Sequence, residues 1–239
     1  MKTLADIKKI AVLGAGTMGP GIAQTYAMGG CHVTMWTRSE STREKAQAAL
    51  KTQLETFAQE CEIEPSDVEA VLARIDFAMT VEEAVAGADF IQETIVENRD
   101  AKTALYEQLA ACVKDDVIIA SNTSAMNIFE VVPEKLLPQQ IICHWYAPPQ
   151  LIPLVEVVKS EQAPEEYGQI VMELLTKCGK TPVFMKKFIR GYIVNRLQQC
   201  LNREVFYLLD NGYCDAEAID LAAKASFIPR ACVLGLCKR

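Results

Sequence analysis

Three glycines stand where an apolar run ends and a helical pattern begins. KIAVLG (9–14) leads into Gly14-Ala15-Gly16-Thr17-Met18-Gly19, and GTMGPGIAQTYAMGG then runs on to Gly29-Gly30. Few backbones suit glycines at that spacing. Gly14 allows a tight turn out of a strand. Gly16 leaves the backbone bare where another group must approach, and Gly19 lets helix and strand pack closely. A helix that opens there aims its first N–H groups, those around Thr17 and Met18, at the turn. The pattern predicts a strand–turn–helix unit that holds the pyrophosphate of a dinucleotide.

The rest of the chain fits that start. HVTMWT (32–37), ADFIQETI (88–95), DVIIAS (116–121), QIICHWY, LIPLVEVV and TPVFM read as strands. Between them lie helical stretches: a polar one from about Ser39 to Gln59, AKTALYEQLAACV, and PEEYGQIVMELLTKCGK. Ser66 with Glu69 and Thr80 with Glu83 have the spacing of capping boxes. Such alternation predicts a Rossmann-type α/β fold with a mostly parallel sheet. Beyond Arg190 the texture changes. Val194, Leu197, Leu201, Val205 and Leu208 follow helical spacing, Asn211-Gly212 ends that helix, and DAEAIDLAAKA forms another. The expected division is a dinucleotide-binding domain at 1–188 and a short all-α domain at 189–239.

Composition narrows the partners. A net charge of −7 with dispersed lysines and arginines excludes nucleic acid and anionic membrane surfaces. No apolar stretch has the length to span a bilayer, and the start lacks a signal-peptide pattern. Nine cysteines, an odd number without a CxxC, fit reduced thiols in the cytoplasm rather than a disulfide frame or a metal site. Cys143 reads as a small buried hydrophobe.

A dinucleotide fold of this type usually sets an acid about twenty residues past the glycines, for the adenosine ribose. Here the second strand ends in Thr37-Arg38-Ser39. An arginine attracts the 2′-phosphate that an acid would repel, so NADP is favoured over NAD. The other reading leaves Arg38 solvated and NAD held by backbone contacts.

A nicotinamide-linked oxidation of an alcohol also needs a group that accepts a proton. Histidine suits the step, and the chain has two. His32 lies in the turn into the second strand, on the adenosine side, where a structural role is expected. His144 ends a later strand, close to where ligands collect in open α/β sheets. Glu156 follows in the run PLVE. If the two strands are neighbours joined through APPQ, the carboxylate can orient the imidazole and stabilise its charged form.

The pattern resembles the L-3-hydroxyacyl-CoA dehydrogenase family. GAGTMGPGIAQ (14–24), IVENRDAK (95–102), SNTSAMNI (121–128), HWYAPP with PLVEVV (144–158) and GYIVNR (191–196) occur in the family's order. The resemblance implies that His144 and Glu156 form the catalytic dyad. It implies that Ser124 and Asn195 hydrogen-bond the reacting oxygen, and that Glu97 and Lys102 lie at the ribose–nicotinamide end of the cofactor. Trp145 and Tyr146 replace the family's usual phenylalanines and are expected to wall the site. A small-molecule substrate and a homodimer follow from the same resemblance.

Some positions depart from the family. Ala147 stands where an asparagine usually touches the cofactor. Gln53 and Glu60 stand where serine and lysine usually meet CoA, and PPQLIPLVE is similar to the L-gulonate dehydrogenase and lambda-crystallin branch. The C-terminal part is shorter than the family's, as in a truncated product or a variant lacking the cap, which predicts an exposed apolar helical face. Three functions therefore remain in view: a 3-hydroxyacyl-CoA-type dehydrogenase, an NADP-linked dehydrogenase of a small hydroxy acid, and a cofactor-binding protein without turnover.

Overall fold

The apolar run before the glycines forms β1 (Lys9–Leu13), and every residue after Lys9 is buried. It is covered on both faces, so its sequence carries no alternation of apolar and polar residues. In the computed structural model, which describes residues 2–237, β1 belongs to an eight-stranded sheet. The other strands are β2 (His32–Trp36), β3 (Ile75–Ala78), β4 (Phe90–Glu93), β5 (Ile118–Ser121), β6 (Gln140–Trp145), β7 (Leu154–Lys159) and β8 (Thr181–Phe184). Their spatial order is β3-β2-β1-β4-β5-β6-β7-β8. Strands β1 to β6 run parallel, β7 is antiparallel to β6, and β8 is parallel to β7. This is the Rossmann-type, mostly parallel α/β sheet that the alternation predicts. The chain moves outward from β1 to β3 and then returns to the far side of β1 for β4. Such a reversal opens a crevice at the carboxyl ends of β1 and β4.

Helices α1 (Gly19–Met28), α2 (Glu40–Gln59), α3 (Asp67–Leu72), α4 (Val81–Val85), α5 (Arg99–Cys112) and α6 (Glu165–Lys177) connect or follow the strands. Ser39 caps α2 and Thr80 caps α4, each accepting from the amide three residues on at 3.2 Å. The cap expected at Ser66 is absent. Its backbone is helical (φ −65°, ψ −21°), whereas a capping side chain works from an extended residue.

Period-2 alternation sends Trp145 to the opposite side of β6 from His144 and Tyr146. Trp145 is therefore buried in the core, edge-on to Tyr26 of α1 at 5.6 Å, and both donate to Gln92 Oε1, at 3.2 and 3.1 Å. The expectation that Trp145 walls the site together with Tyr146 is thus corrected.

The chain divides into two compact units, the second beginning at Gly191. That unit holds α7 (Val194–Asp210), α8 (Ala216–Ala222), a π-helical turn and α9 (Ile228–Leu234). Helix α9 lies in SFIPRACVLGL, where no helix is expected from the sequence. Leu197 and Leu201 of α7 are 43% and 45% exposed, in keeping with an uncovered apolar face. Among the described residues no helix is long and apolar enough to cross a membrane.

Candidate active site

The glycine turn leaves β1 through Gly14, whose φ of +122° suits only glycine, and whose Cβ would lie 2.6 Å from the Thr94 carbonyl oxygen. A Cβ on Gly19 would strike the Gly14 carbonyl, so this glycine lets α1 sit against the turn. Gly16 differs: a Cβ there would meet nothing within 4 Å. Two glycines thus build the turn and the middle one opens onto space, exposed together with Thr17. The opening bond of α1 runs from Ile22 N to Met18 O at 3.1 Å. Amides before Ile22 have no acceptor within the helix and suit a phosphate. The residues present therefore fit a dinucleotide pyrophosphate.

His144 and Glu156 are paired across β6 and β7 in register, and His144 Nδ1 lies 2.9 Å from Glu156 Oε2. His144 is 3% exposed and Glu156 0%. Buried carboxylates require hydrogen-bond partners, and the imidazole supplies one. The tyrosine that follows supplies another, Tyr146 Oη donating to the same Oε2 at 2.7 Å.

A second polar cluster occupies the ends of β4 and β5. Lys102 of α5 is wholly buried, and its Nζ reaches Glu93 Oε1 and Oε2 at 2.6 and 2.8 Å and Glu97 Oε2 at 3.5 Å. Ser121 Oγ and the Ile95 amide also donate to Glu93, at 2.5 and 2.8 Å. Glu97 Oε1 in turn accepts from Thr123 Oγ1 at 2.5 Å and from the amides of Ser124, Ala125 and Met126 at 3.1 to 3.2 Å. Burial pushes the Glu97 carboxyl upward, but the Thr123 hydroxyl, Lys102 and the loop amides outweigh it and hold the group below the ordinary carboxylate range. The loop 123–126 is thus tied to an ionised side chain, and it carries Ser124, whose side chain is exposed.

Two of these partners are not anticipated from the sequence. Glu93 has a signal, a carboxylate inside the apolar run FIQETI, which demands a buried cation. Asn122 bridges three strand ends, accepting from the Trp145 amide at 2.8 Å and donating to Thr94 Oγ1 at 3.2 Å; its motif marks it but not the bridge.

Lys180 holds the loop after His144. Its Nζ reaches the carbonyls of Pro149 at 2.6 Å and Ile152 at 3.2 Å, with the Trp145 ring 5.5 Å away. Burial lowers its pKa to about 8, only partly offset by Cys178. A folded value below the unfolded one means that the unfolded chain binds more protons between about 8 and 10.5. The lysine's burial therefore opposes folding most below pH 8, and this opposition fades as pH rises to 10.5. Urea melts should show the wild type gaining on Lys180→Met across that window. A constant difference would contradict the assignment.

The remaining expected residues are scattered. Thr37 is buried with Oγ1 3.4 Å from Met79 Sδ, and Arg38 is exposed at the tip of β2. His32 is exposed at the start of β2, and Cys143 is buried, which raises its thiol pKa. Asn195 belongs to the second unit, in the first turn of α7. No metal-holding cluster occurs among the described residues.

Comparisons with known proteins bear on this arrangement. The family described as 3-hydroxyacyl-CoA dehydrogenase, NAD binding domain, matches residues 9–188. A probable 3-hydroxybutyryl-CoA dehydrogenase of Bacillus subtilis (strain 168) is 37% identical over 220 residues, 92% of this chain and 76% of that protein. A 5-formyl-3-hydroxy-2-methylpyridine 4-carboxylate 5-dehydrogenase of Mesorhizobium japonicum is 32% identical over 216 residues, 90% of this chain and 69% of that one. The crystal structure of (S)-3-hydroxybutyryl-CoA dehydrogenase from Ralstonia eutropha superposes with a TM-score of 0.85 at 30% identity, covering 91% of this chain and 77% of that one.

Proposed function

This chain belongs to the 3-hydroxyacyl-CoA dehydrogenase family, and from that premise we propose that His144 and Glu156 run a hydride transfer between a nicotinamide cofactor and the 3-hydroxy or 3-oxo carbon of an acyl-CoA-type substrate. The observation that carries the reading is the buried 2.9 Å contact of His144 Nδ1 with Glu156 Oε2 at the carboxyl end of β6.

The nicotinamide, when bound, supplies the hydride acceptor for oxidation and the donor for reduction. The Gly14–Gly19 turn would hold its pyrophosphate, with Thr17 and Met18 offering backbone amides. Glu156 keeps the proton of the neutral ring on Nδ1, which makes Nε2 the basic nitrogen. In oxidation Nε2 takes the hydroxyl proton, and in reduction the imidazolium returns it while Glu156 stabilises the charge. Ser124 donates to the reacting oxygen. Glu97, held by Lys102 and the 123–126 loop, would face the ribose–nicotinamide end of a bound cofactor. Residues 1–188 do the cofactor work. A homodimer, suggested by the exposed positions of α7, and a cytoplasmic setting, suggested by nine free cysteines, complete the proposal.

A second reading has its own support. Gln53 on α2 and Glu60 at its C-terminal cap offer no cation to the phosphates of CoA, and the Mesorhizobium relative is named for a pyridine carboxylate. That reading makes a small hydroxy acid the substrate. Turnover of the purified chain with acetoacetyl-CoA and with free hydroxy acids, each with both nicotinamides, separates the two. Cofactor binding without turnover on any of them would leave a binding protein instead.

Arg38, exposed and without a neighbouring strand-end acid, supports NADP as the cofactor. Losing a charge-assisted phosphate contact costs about 2 kcal/mol, or ~30-fold. Arg38→Asp should therefore lower kcat/KM for NADPH by about that factor and leave NADH within a few-fold. Equal losses for the two would remove the 2′-phosphate assignment.

A further inference from the structure

One oxygen of Glu156 receives more than the dyad needs. Tyr146 Oη donates to Oε2 at 2.7 Å, the atom that His144 Nδ1 meets at 2.9 Å. The two rings stand edge-on, centroids 4.6 Å apart and planes at 63°. Tyr146, the first residue past β6, follows His144 by two, and both meet Glu156 on one side of the sheet while Trp145 between them turns into the core. Tyr146 is half-buried, and His144 and Glu156 are buried.

We propose that Tyr146 is a positioning residue of the dyad, whose hydroxyl shares the Glu156 oxygen with the imidazole and so sets how strongly that carboxylate draws on the Nδ1 proton. This rests on reading His144 and Glu156 as the acid/base pair. A carboxylate oxygen that accepts from two donors divides its charge between them, and each bond weakens the other's acceptor. The phenol thereby tempers the carboxylate, and the ring edge limits rotation of the imidazole. Tyr146 acts through Glu156, while His144 remains the group that exchanges the proton. The role is specific to this chain's tyrosine, because only a hydroxyl there reaches Oε2.

The chain's two histidines make the test direct. Side-chain proton and nitrogen resonances of the full chain report the Nδ1–H bond, and a His144→Gln spectrum assigns His144 by difference. Two changes grade the donor. Tyr146→Phe keeps the ring and removes the hydroxyl, whereas 3-fluorotyrosine placed at 146 makes a stronger donor. The inference expects the His144 Nδ1 proton to move downfield with the first and upfield with the second. No movement in either, or movement in the same direction for both, would overturn it. The resonance does not depend on turnover. If His144→Ala retains activity, the acid/base reading fails while the shared oxygen stands. If the resonance ignores both changes, the shared oxygen fails while the acid/base reading stands.

Discussion

His144→Ala should lower kcat in either direction by about 10²–10⁴-fold, the usual contribution of a positioned acid/base, while the Kd for nicotinamide stays within a factor of two or so. The separation follows from where the side chains are. The proposed pyrophosphate site is glycine backbone and the start of α1, whereas His144 sits in β6. The imidazole is buried, in register with a carboxylate on the next strand, so its removal leaves Glu156 without the Nδ1 donor. Some local loosening of β6 and β7 is expected for that reason. Quenching or energy transfer on nicotinamide binding, measured beside steady-state turnover, reads the two effects separately. Weakened cofactor binding with unchanged kcat would move His144 from the chemistry to the cofactor site.

The largest stability effect is expected at Lys102. Both Lys102 and Glu93 are 0% exposed, and they meet at 2.6 Å. Removing one member of a buried pair typically costs about 3–5 kcal/mol, because the other charge stays buried without its counter-ion. Lys102→Met should accordingly lower Tm by about 10 °C, given that each kcal/mol shifts a unit of this size by about 2–4 °C. Adding Glu93→Gln should recover most of the loss, since it removes the stranded charge. The same variant should also raise KM or lower kcat, as Glu97 and the loop that carries Ser124 lose the ammonium that faces them. A Tm within 2 °C or so of wild type would show that solvent or another cation reaches Glu93.

Much of this arrangement is legible in the sequence because it is local or periodic. The glycine turn needs glycines for reasons of backbone sterics, so the residues announce the geometry. The pairing of His144 with Glu156 follows once two apolar strands are joined by a short turn, and the antiparallel register then puts them opposite one another. What is hidden is long-range or falls at short elements. Glu93 and Lys102 are nine residues apart and on different elements, and nothing local says that they meet. Asn122 reaches the Trp145 amide across 23 residues of chain. Strand β3 is four residues long with an exposed Asp76 in it, too short for a period to declare itself. The Ser66 cap fails because its spacing is right and its backbone is not. Trp145 shows the opposite case: alternation along β6 places it in the core, although it stands beside Tyr146 in an aromatic pair.

The measurement closest to the central claim is a double-mutant cycle on kcat/KM with His144→Ala and Glu156→Gln, with cofactor affinity measured for each variant. If the carboxylate acts through the imidazole, Glu156→Gln lowers kcat/KM in the wild type and costs almost nothing further once His144 is gone. Losses that multiply, with cofactor affinity unchanged throughout, would mean that the two side chains act independently and would contradict the account.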